Sequence, residues 1–246
     1  MPKSCDPVRP RDSVVVLLMR HGQIVQEPTD PDTRTDTPPS AHPSRRFVGD
    51  RDLPLDDTGR AQAAQAAAVL AGLPIRRALA STLSRSVETA QIALSALSPA
   101  PTLHTTPALR EICLGDWQGL YPSQVRQRYP GQWETRGSDL AHFRPPGGEN
   151  FTDLADRGLP ALIAHARSAL SHNDSVTLAV AHAGLNLAML CRLLSIPFQS
   201  ALALPQDYCC LNILVWNEPH QHMAVRAMNL LPAALGQDWA ETYEVG

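Results

Sequence analysis

Two histidines, His21 and His182, each follow a run of apolar residues and each stand close to a glycine. His21 comes after residues 14–19, and His182 comes after residues 175–181. Unbroken apolar runs rich in valine are typical of strands that are buried on both faces. Parallel strands end at the same edge of a sheet, where open α/β sheets bind their ligands. The two imidazoles are therefore expected to lie close together.

Two arginines are expected at the same edge. Arg20 directly precedes His21, and Arg85 falls in the first turn of a predicted helix, whose N-terminus carries a partial positive charge. The guanidinium group matches the oxygens of phosphate as a planar fork. One strand-end histidine facing water would be an ordinary feature. Two histidines with two arginines instead predict a pocket for a doubly negative tetrahedral anion, above all a phosphoryl group.

Strands and helices alternate along the chain, which predicts an α/β fold: a three-layer αβα sandwich with a mostly parallel sheet. Strands are predicted near residues 14–19, 77–80, 175–181, 208–216 and 222–230, with an extended segment at 109–117. Helices are predicted near residues 57–71, 85–97, 122–129, 151–169 and 185–194. Asp57 or Thr58 is the expected cap of the first helix, and Pro160 is expected to kink or split the fourth. Residues 1–246 are interpreted as a single domain, with a small cap formed by the insert 24–46, an expected lid, and by residues 113–150.

Composition narrows the classes of protein. The 246 residues carry a net charge of −3, and Lys3 is the single lysine, which argues against a nucleic-acid-binding protein. No apolar run reaches the length of a membrane span, and the first residues lack the apolar core of a signal peptide. A cytoplasmic protein is therefore expected, while an oligomer remains possible. The five cysteines show no C-x-x-C spacing and indicate structural thiols in a reducing compartment.

A metal site is not expected. Cys209, Cys210, His220 and His222 match no familiar zinc spacing, and neighbouring residues of a strand point to opposite faces. No cofactor is predicted. Trp117 and Trp133 are interpreted as packing residues.

Several segments, in order along the chain, together resemble the histidine phosphatase superfamily in its phosphoglycerate-mutase-like branch. They are residues 18–23, 49–55 with Gly59 and 62–63, 81–90, 109–119, 146–149 and 181–184. The resemblance implies that His21 is the nucleophile, that Arg20, Arg85 and His182 hold the phosphoryl oxygens, and that Glu111 is the acid. Further phosphate or substrate contacts are expected from Gly22, Gln23, Gly49 and Ala183.

Chemistry agrees with these roles. An imidazole attacks phosphorus only when neutral, so one nitrogen of His21 is expected to be held as a donor by a backbone carbonyl. Two arginines and a protonated His182 would supply positive charge without a metal. Glu111 must carry a proton to protonate the leaving group; its alternative role is a salt bridge with an arginine.

The sequence also departs from the family pattern. Glu27 stands where many members have a phosphate-binding asparagine, and the arginine pair with which mutases bind their substrate is not found after Glu111. Arg45, Arg46, Arg51 or Arg144 are the possible substitutes. Residues 109–119 look closer to broad phosphatases and α-ribazole phosphatases. The sequence thus predicts hydrolysis of a small-molecule phosphate ester, such as an α-ribazole phosphate, through a phosphohistidine. The alternatives are a phosphoglycerate mutase and a non-catalytic module that binds phosphorylated ligands.

Overall fold

The computed structural model describes residues 12–29 and 46–245, which are built around one six-stranded sheet. The strands are β1 (Ser13–Arg20), β2 (Ile75–Ser81), β3 (Thr102–Thr106), β4 (Val176–Ala181), β5 (Leu211–Asn217) and β6 (His222–Leu230). Their order is β3-β2-β4-β1-β5-β6. The pairs β1–β4, β2–β4 and β2–β3 are parallel, and β5 runs antiparallel to both β1 and β6. The expected mostly parallel sheet is confirmed, and its two antiparallel pairs lie together at one side.

Helices cover both faces of this sheet. They are α1 (Asp57–Leu70), α2 (Ser84–Leu94), α3 (Pro122–Arg128), α4 (Gln132–Ser138), α5 (Phe151–Ser171), α6 (Ala183–Leu194) and α7 (Trp239–Thr242). In β1, Val16 and Leu18 join the apolar cluster that includes α5 and α6, whereas Leu17 and Met19 join the cluster that includes α1 and α2. Alternate residues of a strand point to opposite faces, so β1 contributes to both cores. The three-layer α/β architecture is confirmed.

Several predicted boundaries were wrong. Asp56, one residue earlier than expected, caps α1, because its carboxylate accepts a hydrogen bond from the backbone N–H of Gly59. Helix α2 ends at Leu94. Helix α5 is continuous through Pro160, so the predicted split does not occur. Its buried face, with Leu154 and Leu162, packs along its length in the core, while Pro160 lies on the exposed side.

The segment between β3 and α3 is not the predicted extended piece. It contains two short 3-10 turns, Pro107–Leu109 and Gly115–Trp117, separated by irregular chain. Gly115 has a φ of +52° and lies against the backbone carbonyl of Pro146, a position that no side chain could occupy. This irregular chain carries Glu111.

Aromatic side chains pack together in the segment 113–150, which was predicted to form part of a cap. Trp117 packs against Trp133, with ring centroids 6.4 Å apart, and against Phe47 at 5.9 Å. Both tryptophans are therefore packing residues, as predicted. Of the expected lid at 24–46, residues 24–29 and Arg46 are described, and the remainder lies outside the described residues. No helix within the described ranges is long and apolar enough to cross a membrane.

His165 of α5 makes the stability of the fold depend on pH. Its Nε2–H donates to the hydroxyl of Thr177, 2.6 Å away, since that hydroxyl donates its own hydrogen to the carbonyl of Arg77. Burial lowers the pKa of His165 from 6.5 to about 4. Between pH 6.5 and 4, His165 therefore binds a proton in the unfolded chain but not in the folded protein. The free energy of unfolding is highest above pH 6.5, as far as this group is concerned, and decreases as the pH falls towards 4.

Replacing His165 by glutamine keeps an N–H donor but removes this titration. We expect the free energy of unfolding of the wild type to fall, relative to that of His165→Gln, by about 3 kcal/mol between pH 6.5 and 4. Urea unfolding of both proteins across this range measures the difference. Parallel pH curves for the two proteins would contradict this assignment of the buried imidazole.

Candidate active site

Two neighbouring parallel strands place the two histidines together. Arg20 at the end of β1 pairs in register with Ala181 at the end of β4, so His21 and His182 leave the sheet side by side. Their ring centroids are 5.0 Å apart, and both side chains are buried. The predicted meeting of the two imidazoles is therefore present in the structure.

Hydrogen bonding defines one form of the His21 ring. Its Nδ1 lies 2.7 Å from the carbonyl oxygen of Gly22, which can only accept, so Nδ1 carries the hydrogen and Nε2 keeps its lone pair. Burial, and then the charges of Arg20 and Arg85, hold the pKa of His21 well below 6.5. The ring is thus neutral and pinned by a backbone carbonyl, the form that the sequence argument requires of a nucleophile.

Helix α2 supplies the cation on the other side of the histidines. Arg85 is almost completely buried; its Nη2 donates to the carbonyl of Gly49 at 3.0 Å, and its Nη1 donates to the carbonyl of Arg51. Its Nε donates to Nδ1 of His182 at 3.3 Å. Burial lowers the pKa of Arg85, against the opposing effect of the nearby Glu111 carboxylate. Backbone carbonyls therefore hold a guanidinium group in the pocket.

His182 is neutral, which corrects the expectation of a protonated ring. Because Arg85 donates to Nδ1, the hydrogen of the ring is on Nε2, which lies 3.2 Å from the hydroxyl of Ser86. Burial lowers the pKa of His182 well below 6.5, with further contributions from His21, Arg85 and Arg20. In the unliganded site, the positive charge comes from the two arginines.

Arg20 lies between His21 and the loop that precedes β5. Its guanidinium carbon is 3.7 Å from the ring centroid of Tyr208, and its Nη1 donates to the carbonyl of Gln206. Its Nε has no hydrogen-bond partner within the described residues. Tyr208 is also 5.8 Å from the ring of His21. Arg20 is thus fixed by an aromatic face and a carbonyl while retaining unpaired donors.

Gly22 and Gln23 form hydrogen bonds with other residues of the protein. The N–H of Gly22 donates to the hydroxyl of Thr89 at 3.0 Å, and a Cβ on Gly22 would lie 2.5 Å from the carbonyl oxygen of Gly59. The close approach that Gly22 permits is therefore that of the α1 backbone, not of a ligand as expected. The N–H of Gln23 donates to Gln62, and its side-chain amide donates to Asp56. Neither residue presents a free backbone N–H to a phosphate.

Gly49 and Ala183 have different positions in the site. Gly49 adopts a φ of +53° and turns its carbonyl to Arg85, so it supports the pocket through that arginine. Ala183 is the first residue of α6, and its N–H has no partner among the described residues. This N–H is positioned, like the first donors of any helix, to bind an anion.

Glu111 is docked on the start of α6. Its two carboxylate oxygens accept hydrogen bonds from the N–H groups of Gly184 at 3.0 Å and Leu185 at 3.1 Å, and one of them also accepts from Ile112 at 2.9 Å. No arginine forms a salt bridge with Glu111 within the described ranges. The alternative role as an ion-pair partner is thus not observed. The contacts place the carboxyl group beside the strand end that carries His182.

Glu27, which replaces the expected asparagine, pairs with Arg51. The two side chains form a double hydrogen bond, at 2.9 and 3.0 Å. Arg144 pairs with Asp153, and Arg46 donates to the carbonyl of Gly119. Three of the four arginines considered as mutase substitutes are thus engaged by the protein; Arg45 lies outside the described residues.

The four described cysteines and the candidate metal ligands form no cluster in the part of the chain that the structure describes. Cys209 and Cys210 precede β5 and are both buried, so the argument from alternating strand faces was wrong. Burial raises the pKa of each thiol to about 12, in keeping with structural thiols. Across residues 12–29 and 46–245, no three His, Cys, Asp or Glu side chains are grouped so that they could hold a metal ion.

Sequence reasoning missed three residues of the site. Ser86 and Thr89 lie within a recognised segment. Thr89 is four residues after Arg85 and three after Ser86, spacings that place helical residues next to each other. Tyr208 carried no such signal, because it lies in a loop that only the fold brings to His21.

Comparisons with known proteins agree with this geometry. The family model described as "Histidine phosphatase superfamily (branch 1)" matches residues 16–229. A glucosyl-3-phosphoglycerate phosphatase of Mycolicibacterium vanbaalenii is 38% identical over 186 residues, 74% of this chain and 75% of the relative. A 2,3-bisphosphoglycerate-dependent phosphoglycerate mutase of Gloeothece citriformis is 29% identical, over 72% of this chain and 83% of its own.

A solved structure is also similar. It is the complex of a mycobacterial glucosyl-3-phosphoglycerate phosphatase with inorganic phosphate, with a TM-score of 0.69 and 27% identity over 92% of this chain and all of that one. The match of the family model spans the site from β1 to the end of the sheet. This chain therefore belongs to the histidine phosphatase superfamily, branch 1.

Proposed function

We propose that the protein hydrolyses a small-molecule phosphate monoester through a phosphohistidine on His21. One observation carries the proposal: the neutral His21 ring, with Nδ1–H held by a carbonyl and Nε2 free, lies in a pocket with two buried or partly buried arginines. Phosphoryl transfer requires a nucleophile next to cations that are held in place, because this reaction depends mainly on positioning and charge stabilisation.

In the first step, Nε2 of His21 attacks phosphorus and the bond to the leaving oxygen breaks. Arg20, Arg85 and the free N–H of Ala183 bind the phosphoryl oxygens, and a protonated Glu111 gives its proton to the leaving oxygen. Three backbone N–H groups hold the carboxyl group of Glu111 in place for this step.

In the second step, water attacks the phosphohistidine. Glu111, now a carboxylate, accepts a proton from that water, the bond between phosphorus and Nε2 breaks, and inorganic phosphate leaves. Neutral His21 is restored with its hydrogen still on Nδ1. His182 orients Arg85 throughout, through the bond between Nδ1 of His182 and Nε of Arg85.

Hydrolysis is favoured over isomerisation by the state of the surrounding arginines. A mutase must bind the carboxylate of phosphoglycerate with dedicated cations while it excludes water. Arg51 already binds Glu27 with two hydrogen bonds, and Arg144 binds Asp153. These arginines are therefore not free to replace the missing pair.

For the substrate, we propose a glucosyl-3-phosphoglycerate ahead of an α-ribazole phosphate. The support is the relative of that activity, which is 38% identical to this chain. The resemblance to α-ribazole phosphatases rests on residues 109–119 alone. We further propose that the sheet and cap form a single domain that works in the cytoplasm, since the four described cysteines are free thiols.

The direct test supplies glucosyl-3-phosphoglycerate, α-ribazole phosphate, or 3-phosphoglycerate with its bisphosphate primer, all in the presence of a chelator. Inorganic phosphate and 2-phosphoglycerate are measured together. We expect phosphate release, fastest from glucosyl-3-phosphoglycerate, and no 2-phosphoglycerate beyond trace amounts. Isomerisation faster than phosphate release would favour the mutase. Tight binding of all three compounds with no turnover would favour the binding module, and a requirement for added metal would contradict the mechanism.

A further inference from the structure

One arginine outside the pocket has all of its donors engaged, three by the segment that carries Glu111 and two by Glu149. Arg157 of α5 donates from Nη1 to the carbonyls of Ala108 and Arg110, both at 2.8 Å, and from Nη2 to the carbonyl of Glu111 at 3.1 Å. Its Nε and Nη2 also donate to the two oxygens of Glu149, at 2.9 and 3.0 Å. A guanidinium group has five N–H donors, and all five are used here.

Glu149 joins the same network from the far side of the segment. Besides binding Arg157, its Oε2 accepts from the N–H of Cys113 at 2.9 Å, and its own N–H donates to the carbonyl of Cys113 at 2.8 Å. The chain on both sides of Glu111 is thus tied to one ion pair. Both side chains of that pair are largely shielded from solvent, with 23% and 26% exposed.

The segment needs such a tie because it has no regular structure of its own. It lies between the 3-10 turns Pro107–Leu109 and Gly115–Trp117, and Arg157 binds the carbonyls of Ala108, Arg110 and Glu111 in place of a neighbouring strand. Arg157 also stands close enough to His182 to influence that ring electrostatically. The position of the Glu111 backbone therefore depends on a helix anchored in the core.

We propose that Arg157, paired with Glu149, is a positioning residue. It holds the carboxyl group of Glu111 at the distance from the leaving oxygen that proton transfer requires. The inference rests on the proposed function of Glu111. A proton donor displaced by about 1 Å loses up to about a hundredfold in rate. Arg157 touches no reacting atom, so its replacement should affect the proton-transfer step and leave phosphate binding almost unchanged.

The test replaces Arg157 by lysine, which keeps the positive charge but cannot bind three carbonyls and two carboxylate oxygens at once. We expect kcat/KM for glycerol phosphate, whose leaving group is poor, to fall by about ten- to a hundredfold, because kcat/KM reports the transfer to His21 and not the later attack of water. For p-nitrophenyl phosphate, whose leaving group needs little protonation, we expect less than about a threefold loss. The Ki of inorganic phosphate should stay within about twofold, because the pocket itself is intact.

A double variant separates positioning from general support of the fold. In a Glu111→Gln background, Arg157→Lys should cause no further loss on glycerol phosphate, because the proton donor is already absent. Glu149→Gln is the second variant: it keeps an acceptor for Cys113 and should show the same selective loss, which keeps the test decisive if Arg157→Lys is unstable. Arg144→Gln, which breaks an exposed pair on the same stretch of chain, is the matched control and should leave both rates unchanged.

Equal losses on both substrates, or losses that multiply in the double variant, would overturn the positioning role while leaving the proposed function standing. If Glu111→Gln itself shows no preference between the two leaving groups, the role of Glu111 as the acid fails, and this inference fails with it.

Discussion

Replacing His21 by alanine should abolish turnover, with a loss on the order of 10⁴-fold or more, as found when a covalent nucleophile is removed. The reason is geometric. The ring is held with Nδ1–H on Gly22, so Nε2 is the only nucleophilic atom that the two arginines surround in the described site. Neither Arg20 nor Arg85 can replace it, since a guanidinium group stays protonated.

Steady-state hydrolysis of p-nitrophenyl phosphate measures this loss, with thermal unfolding as the check on the fold. The matched control is His165→Gln. His165 is a buried histidine of α5 that forms a hydrogen bond with Thr177 and lies outside the pocket. At pH 7.5 this control should keep nearly full activity. Activity of His21→Ala within tenfold of the wild type would mean that another group attacks phosphorus.

Replacing Glu111 by glutamine should have the second largest effect, and the effect should depend on the leaving group. Glutamine preserves the shape of the side chain and one oxygen acceptor for the N-terminus of α6, but it cannot give or take the proton. A general acid contributes typically about 10²- to 10⁴-fold. We expect kcat/KM, which reports the transfer to His21 and not the later attack of water, to fall in this range for glycerol phosphate and by less than about tenfold for p-nitrophenyl phosphate.

Rates for a series of phosphate esters with graded leaving groups measure this dependence. Glu88→Gln is a suitable control, because Glu88 forms its ion pair with Arg60 on the partly exposed surface of α1 and α2. A uniform loss across the series of esters would show that Glu111 supports the site in another way.

The parts of the fold that could be predicted are those with a strong pattern in the sequence. Residues 14–19 of β1 are all apolar, and β4 is apolar apart from Thr177, because both faces of each strand are buried. By contrast, β3 was missed because Thr102–Thr106 forms a half-exposed edge with a single apolar residue, Leu103. Helix α4 was missed for a similar reason: none of its residues is buried, so it has no apolar stripe.

The composition of the site was predictable, but its internal bonding was not. The sequence could place His21, His182 and Arg85 together, because two parallel strands end, and a helix begins, at the same edge of the sheet. The protonation state of His182 could not be predicted, since it depends on full burial between two cations and on the bond from Arg85.

The other contacts that the sequence could not predict are made to backbone carbonyl groups. Arg85 is held by the carbonyls of Gly49 and Arg51, and Arg157 is held by carbonyls next to Glu111. Every residue has a carbonyl, so no residue type marks such contacts in the sequence. Gly22 shows the same limit: a glycine indicates a close approach, but only the structure identifies the approaching group as Gly59.

The measurement that tests the central claim most directly is detection of the phosphoenzyme. The protein is mixed with substrate, quenched within milliseconds in base, because phosphohistidine is labile in acid, and digested for mass spectrometry. The account predicts one phosphate on the peptide that contains His21, attached at Nε2, formed with a chelator present and absent from His21→Ala. A phosphate on another residue, or rapid turnover of substrate with no phosphoenzyme in the wild type, would contradict it.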